Sequence, residues 1–271
     1  MIIAVSHLAF AARDPQAIAA DYARLFGQPV RVFRSDSGGT LHRFQLNNTA
    51  FEISEAADGE DGLKAIVFET VDMAATTHKL SRRGLPGSDV RNETWRQPNG
   101  AGYIERQYVD LTGPGTHGVG LALVETIPPD APAQISGDSP VTGLDHVVVR
   151  SPNPERAIAL YGGRLGLDFA LDRSNPDWGS RLLFFRSGGV TVEIGHSLAK
   201  GVSDNPDSLW GVAWRVGDAS QAQVRLSAAG FNTSDAAKGR RPGSQVMTVR
   251  SNTGGLQTIF LSAVPKGEMA A

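Results

Sequence analysis

The chain repeats itself, and that repeat constrains the possible folds more than any other feature. "SHLAFAARDPQAIAADYARLFGQPVRVF", residues 6–33, runs in step with "DHVVVRSPNPERAIALYGGRLGLDFAL", residues 145–171. His7 and His146 stand 139 positions apart, as do Gly27 and Gly166. Downstream, "FQLNNTAFEIS" (44–54) matches "FRSGGVTVEIG" (185–195) and pairs Glu52 with Glu193. "VDMAATTHKLSRRGL" (71–85) then matches "GDASQAQVRLSAAGF" (217–231), and "THGVGLALV" (116–124) matches "TGGLQTIFL" (253–261). Copies that share hydrophobic period and turn positions fold to the same architecture.

Within each copy the local signals are regular. "HLAFAA" and "HVVVRS" are short apolar strands, each followed by a proline that suits the first turn of a helix, where its missing N–H is no loss. Ile18, Tyr22, Leu25 and Phe26 recur at helical spacing, and Gly27 and Gly166 stop the two helices. Three strands follow in each copy, with Asn47-Asn48 and Gly188-Gly189 as hairpin dipeptides. The unit is βαβββ. From Ile66 and Val212 the pattern recurs, with helices predicted over 72–83 and 218–229, so the chain holds four units. "WRQPNGAGYIERQY" and "KGRRPGS" are expected to be polar loops that interrupt the later strands of units two and four.

"TIPPDAPAQISGDSP", Thr126 to Pro140, is rich in proline and aperiodic, which marks a linker. The expected domains are 1–126 and 141–263, with a linker over 127–140 and a frayed tail over 264–271. Length agrees with two domains, since 271 residues suffice for two ordinary cores.

Composition excludes several classes. With no cysteine, thiol nucleophiles, disulfide scaffolds and thiolate metal sites are ruled out, so any metal must sit on His, Asp or Glu. A formal charge of -2 with dispersed Lys and Arg gives no footprint for nucleic acid. Apolar runs such as "AIVF" fall far below the roughly 20 residues that span a bilayer. The expectation is a soluble, cytoplasmic protein acting on a small molecule, with no nucleic-acid or membrane partner and with a homodimer as a candidate assembly. P-loop, dinucleotide and nucleophile-elbow motifs are absent.

Four tandem βαβββ units, with His on the first strand and Glu on the last strand of a unit, resemble the vicinal oxygen chelate superfamily. That family comprises glyoxalase I, extradiol dioxygenases, fosfomycin and bleomycin resistance proteins and related epimerases. "LDHVVVRSPNPERAIALYGGRLGL", "VTVEIG" and "LWGVAWRVGD" are similar to its glyoxalase-like members. The resemblance implies an α+β fold in which the four units form two cupped mixed-sheet half-barrel domains. It also implies one divalent metal (Fe, Mn, Ni or Zn) held by residues of paired units around an open site for substrate oxygens.

Carried over residue by residue, the ligand pattern is half filled. His7 and Glu52 match in unit one, and His146 and Glu193 in unit three. Unit two offers Ala65 or Ile66 and Ala122, and unit four offers Gly211 and Ile259. Two ligands seldom retain a catalytic metal, since three is the usual count at an open site, so a metal-free reading stands beside the metal one. A carboxyl in an apolar cup is pushed up by desolvation and serves as a general base, with a histidine to orient it or pass the proton.

His146 and Glu193 are therefore the candidate catalytic pair, for a lyase, isomerase or epimerase acting beside a carbonyl; His7 and Glu52 are a second site or a relic. Trp178, Trp210 and Trp214, with Arg241 of the basic loop, are the candidate substrate-binding residues, suited to a bulky or aromatic molecule. His196 has the opposite strand parity from Glu193, and His117 lies in a glycine-rich loop. From a different class, the alternative is a resistance-type protein that sequesters a small molecule without chemistry. Extradiol cleavage needs two His and a carboxylate, and with no second His on a unit-four strand it is the less favoured reading. Pairing unit one with unit three would unite both His and both Glu, but sequential units joined by short loops normally pair first.

Overall fold

The computed structural model describes residues 1–127, 135 and 137–262. The 127–140 linker falls largely outside these residues, and the 264–271 tail wholly outside. Among the described residues, no helix is long and apolar enough to cross a membrane.

The first half runs β1 (Ile2–Ala12), α1 (Pro15–Phe26), β2 (Arg31–Ser35), β3 (Thr40–Gln45), β4 (Ala50–Glu55), β5 (Gly62–Thr70), α2 (Met73–Arg82), β6 (Arg91–Arg96), β7 (Tyr103–Leu111) and β8 (Leu121–Thr126). The second repeats it as β9 (Val141–Arg150), α3 (Pro154–Ala157), β10 (Asp168–Asn175), β11 (Ser180–Ser187), β12 (Val190–Ser197), β13 (Ser208–Val216), α4 (Ala219–Ala228), β14 (Ala237–Lys238), β15 (Gln245–Val249) and β16 (Gln257–Ser262).

The four α-helices among the described residues start on a side-chain cap. Asp14, Asp72, Asn153 and Asp218 each accept from a backbone N–H of the first turn, which satisfies a donor that the helix leaves unpaired. Gly27 closes α1 in the left-handed region at φ 69°. After α3 the chain continues as a π-helix, Ile158–Arg164, where Gly162-Gly163 replace the Ala23-Arg24 of α1.

Units pair in sequence order: β1 lies antiparallel to β5, and β9 to β13. The eight strands of the first half close into a barrel, β1-β4-β3-β2-β6-β7-β8-β5, whereas those of the second form an open sheet, β10-β11-β12-β9-β13-β16-β15-β14. The expected pair of half-barrels is thus one closed barrel and one open cup. "WRQPNGAGYIERQY", expected as a loop, supplies the end of β6 and most of β7. The barrel shuts where Arg34 pairs with Arg96 and Ser35 with Trp95 across β2 and β6. In the second half β14 is only two residues long. Gly239, Pro242 and Gly243 of "KGRRPGS" follow it, and a strand cannot run on through a residue that lacks an N–H to donate.

The halves share one core. Trp214 of β13 packs edge-on against Phe26 (4.8 Å between ring centroids) and Phe51 (5.6 Å) of the first half. Asn48, at the β3–β4 turn, donates to the Leu144 carbonyl (2.8 Å) and accepts from the Leu144 N–H (3.0 Å), standing in for a strand neighbour. The helix ends are capped reciprocally. Arg225 of α4 donates to the carbonyls of Arg24 and Leu25 at the end of α1, and Arg83 donates to those of Gly163 and Arg164. Cations at helix C-termini satisfy orphan carbonyls and oppose the helix dipole.

Candidate active site

Strand alternation and register place His146 and Glu193 together. His146 is the cross-strand partner of Thr191, two residues before Glu193 on β12, so both side chains rise from the concave face of the open sheet. Their nearest atoms, Nε2 and Oε2, are 3.7 Å apart, and the side chains remain 19% and 16% exposed. At that distance the two groups are neighbours that do not share a hydrogen bond.

Asp145, at a bulge in the β9–β13 ladder, meets Nδ1 of His146 at 3.0 Å through Oδ1. Its other oxygen accepts from Nε of Arg215 at 3.1 Å, and Arg215 also donates to the Gly189 carbonyl. Burial works to raise the Asp145 carboxyl, but the hydrogen bond and charge of His146 and then Arg215 outweigh it and bring it down to about 2. Asp145 is therefore ionised, holds the proton on Nδ1 and aims Nε2 at Glu193.

The equivalent pair in the first half is sealed. His7 and Glu52 are 1% and 4% exposed inside the closed barrel, with Nε2 and Oε2 3.2 Å apart. Arg106 donates through Nη1 to both oxygens of Glu52, at 2.9 and 3.1 Å, and through Nε to Glu93 at 2.9 Å; Arg43 also donates to Glu52. Burial tends to raise the Glu52 carboxyl, yet Arg106, His7 and Arg43 together hold it well below the usual range. Burial pushes His7 down to about 3; Glu52 opposes that, and Arg106 and Arg43 reinforce it. A neutral His7 thus donates to an ionised Glu52 that is already matched by two guanidiniums. This is a charge-matched ion network closed to solvent.

Register explains why the copies differ. Arg43 is the direct cross-strand partner of Glu52, and Phe184 is the partner of Glu193. The open copy carries a phenyl ring where the locked copy carries a guanidinium. Sequence reasoning missed Arg43 and Arg106. The available signal was a charged residue at an inward position of "LHRFQL" and "YIERQY".

The donor positions in units two and four also shift. Bulges in the β1–β5 and β9–β13 ladders set Val67, not Ala65 or Ile66, beside His7, and Ala213, not Gly211, beside His146. Ala122 pairs with Val67, and Ile259 with Ala213, so neither half gains a donor. Among the described residues no group of three or more His, Asp or Glu could hold a metal ion. The donor set does not fit a resident divalent metal. Each half offers one imidazole and one carboxylate, and in the first half guanidiniums already occupy the carboxylate.

The remaining expected residues separate. Trp178, in the turn after β10, and Trp210, at a bulge in β13, are 42% and 40% exposed. Trp214 does not line the cup: Ala213 is the residue that faces His146, so strand alternation turns the next ring to the other face, where it is fully buried in the shared core. Arg241 is exposed and its carbonyl closes a turn with Ser244; its neighbour Arg240 is the residue that reaches Trp178, 4.1 Å from the ring centroid. His196 is buried on the opposite face, its Nδ1 3.1 Å from the Ser151 carbonyl. His117, at φ 56°, takes a hydrogen bond on its carbonyl from the Asp207 N–H.

Comparison with known proteins agrees with this architecture. Residues 145–248 match the model of the Glyoxalase/Bleomycin resistance protein/Dioxygenase superfamily. An ethylmalonyl-CoA/methylmalonyl-CoA epimerase from Cereibacter sphaeroides is 29% identical over 94 residues, which span 32% of this chain and 70% of that protein. Among solved structures, a 4-hydroxymandelate synthase variant from Streptomyces coelicolor superposes with a TM-score of 0.68 at 12% identity, over 97% of this chain and 94% of the other. A Mn(II)-bound glyoxalase from Novosphingobium aromaticivorans gives 0.68 at 16% identity, over 97% and 83%. At such identities the two structures share the fold alone.

Proposed function

We propose that this chain, which belongs to the glyoxalase, bleomycin resistance protein and dioxygenase superfamily, is an enzyme that moves a proton beside a carbonyl of a small organic substrate. The chemistry is that of an epimerase, isomerase or lyase, and it takes place in the open cup of the second half. One observation carries the reading. Glu193 faces the accessible concavity with His146 as its neighbour and, among the described residues, with no Arg or Lys within 4 Å, whereas Glu52 is locked.

In this reading Glu193 is the base that takes the proton from the carbon next to the carbonyl. His146, oriented by Asp145, donates through Nε2 to the carbonyl oxygen as that oxygen gains charge. The 3.7 Å separation leaves Nε2–H free to turn toward a substrate oxygen. No step is routed through a metal. The halves, 1–126 and 141–263, serve as two domains of unequal role: the first supports and the second reacts.

The epimerase relative makes methylmalonyl-CoA the first substrate to test. The protein is incubated with it in deuterated water, and loss of the C2 proton is followed by NMR. Exchange that disappears in Glu193→Gln supports the reading, and exchange that persists there removes it. The exposed rings of Trp178 and Trp210 favour a second reading, in which the cup sequesters a flat molecule without converting it.

A further inference from the structure

Resting on the reading that the second cup is the working site, we infer that its rim carries an anion subsite built from Arg173, Arg240 and Trp178. The substrate is then an organic acid or phosphate whose anionic group docks at the seam between β10 and β14.

The inference starts from where the arginines of the second half find their counter-charge. Arg181 is held by Asp172 and Glu155, Arg156 by Asp207 and Arg215 by Asp145. Arg173 and Arg240 have no carboxylate within 4 Å among the described residues. Both rest instead on the ring of Trp178, with guanidinium carbons 4.9 and 4.1 Å from its centroid. A guanidinium stacked on an indole is held in place by the ring quadrupole while its N–H donors stay free in the plane for a bidentate acceptor. Two such cations on one exposed ring repel each other, and an anion between them removes that repulsion.

Comparison of the halves points the same way. Phe33 faces Leu41 across β2 and β3, and Arg173 faces Leu182 across β10 and β11, each pair two residues from the partner of the glutamate. Phe33 packs with Leu41, Ile104 and Trp95 to plug the closed barrel. At the same register the open cup has an arginine. Positive charge has thus left the glutamate, where Phe184 replaces Arg43, and moved to the rim, where Arg173 replaces Phe33. Arg173 also lies in one row with Leu182, Gly195 and Arg150, and Arg150 in turn stacks on Trp210 at 4.2 Å. The row passes one pleat above Glu193, so an anion anchored at its end leaves the rest of a small molecule over the base.

The test uses the full chain with inorganic phosphate and with malonate as probes, at constant ionic strength, read by indole emission. A saturable change with either probe, absent in Trp178→Phe, is expected. Its midpoint should weaken about ten-fold or more in Arg173→Gln and in Arg240→Gln, and stay unchanged in Arg96→Gln on the closed barrel. A tighter midpoint for one probe identifies the acid group. No saturable response, or a response that survives both rim variants, overturns the inference. Binding that persists while exchange is indifferent to Glu193→Gln sinks the catalytic reading alone. Glu193-dependent exchange without anion binding sinks the subsite alone.

Discussion

Arg106 donates to both carboxylate oxygens of Glu52 inside a closed barrel, at 2.9 and 3.1 Å. This fork and the Arg43 contact turn a duplicated histidine–glutamate pair into a part of the barrel's interior. Arg106→Ala removes one of the two guanidiniums that match this buried carboxylate and leaves it under-compensated, at a cost of about 3–5 kcal/mol. Urea unfolding should show a loss of that size, with proton exchange in the second cup retained by the folded fraction. A cost below about 1 kcal/mol, as at exposed ion pairs, would mean that Glu52 is solvated.

Acid should weaken the first half through His7. The native barrel holds this imidazole neutral down to about pH 3, whereas the unfolded chain takes up a proton near 6.5. The folded value lies below the unfolded one, so the contribution is complete above about 6.5 and is lost as pH falls toward 3. Glu52, also held below its ordinary value, adds a loss of the same sign below about 4.5. Stability should drop by about 1.4 kcal/mol per pH unit from His7 alone between pH 6 and 4. Urea midpoints at several pH values, for the natural chain and for His7→Asn, measure this. An equal slope in both proteins would remove His7 as the source.

The catalytic reading ranks two substitutions. Glu193→Gln should cut exchange by about 10²–10⁴-fold, the usual worth of a positioned base. Asp145→Asn should cost less and act through the orientation of His146, since the amide holds the ring without the charge. The ratio of the two rates tests the order; Asp145→Asn as damaging as Glu193→Gln would make Asp145 the base.

Removal of metal gives an independent check. Because neither half brings three donors together, dialysis against a chelator should leave the exchange rate unchanged, and added Mn(II) or Zn(II) should not raise it. A rate that collapses with the chelator and returns with one metal would show that substrate oxygens complete the site.

Trp214 ties the halves together rather than binding substrate. Trp214→Ala should cost about 3–5 kcal/mol by opening a cavity against Phe26 and Phe51, while probe binding at Trp178 stays intact. Calorimetry should show one unfolding transition in the natural chain. Two separated transitions would mean that the shared core does not couple the halves.

Much of this was legible without coordinates. Asp14-Pro15 and Asn153-Pro154 announce helix starts, Gly188-Gly189 announces a hairpin, and the parity of "VTVEIG" turns Glu193 and His196 to opposite faces as expected. Each of these rests on neighbours in the chain. The donor positions were misplaced by two residues on the same face, Val67 for Ala65 and Ala213 for Gly211, because an extra residue in one strand slides the pairing. Trp214 was misplaced because only the pairing of β13 with β9 shows that Ala213, and not its neighbour, faces His146.

The amino-acid order by itself determined the repeated βαβββ unit, the capped helices and the joint presence of His and Glu in each copy, because period, caps and turns are local properties. Tertiary structure decided that one copy is shut and the other open, and which residue faces each glutamate. Those outcomes depend on strands far apart in the chain, where the six-residue β6 reaches β2 through Trp95 and Arg96 and completes a seam that the two-residue β14 leaves unzipped.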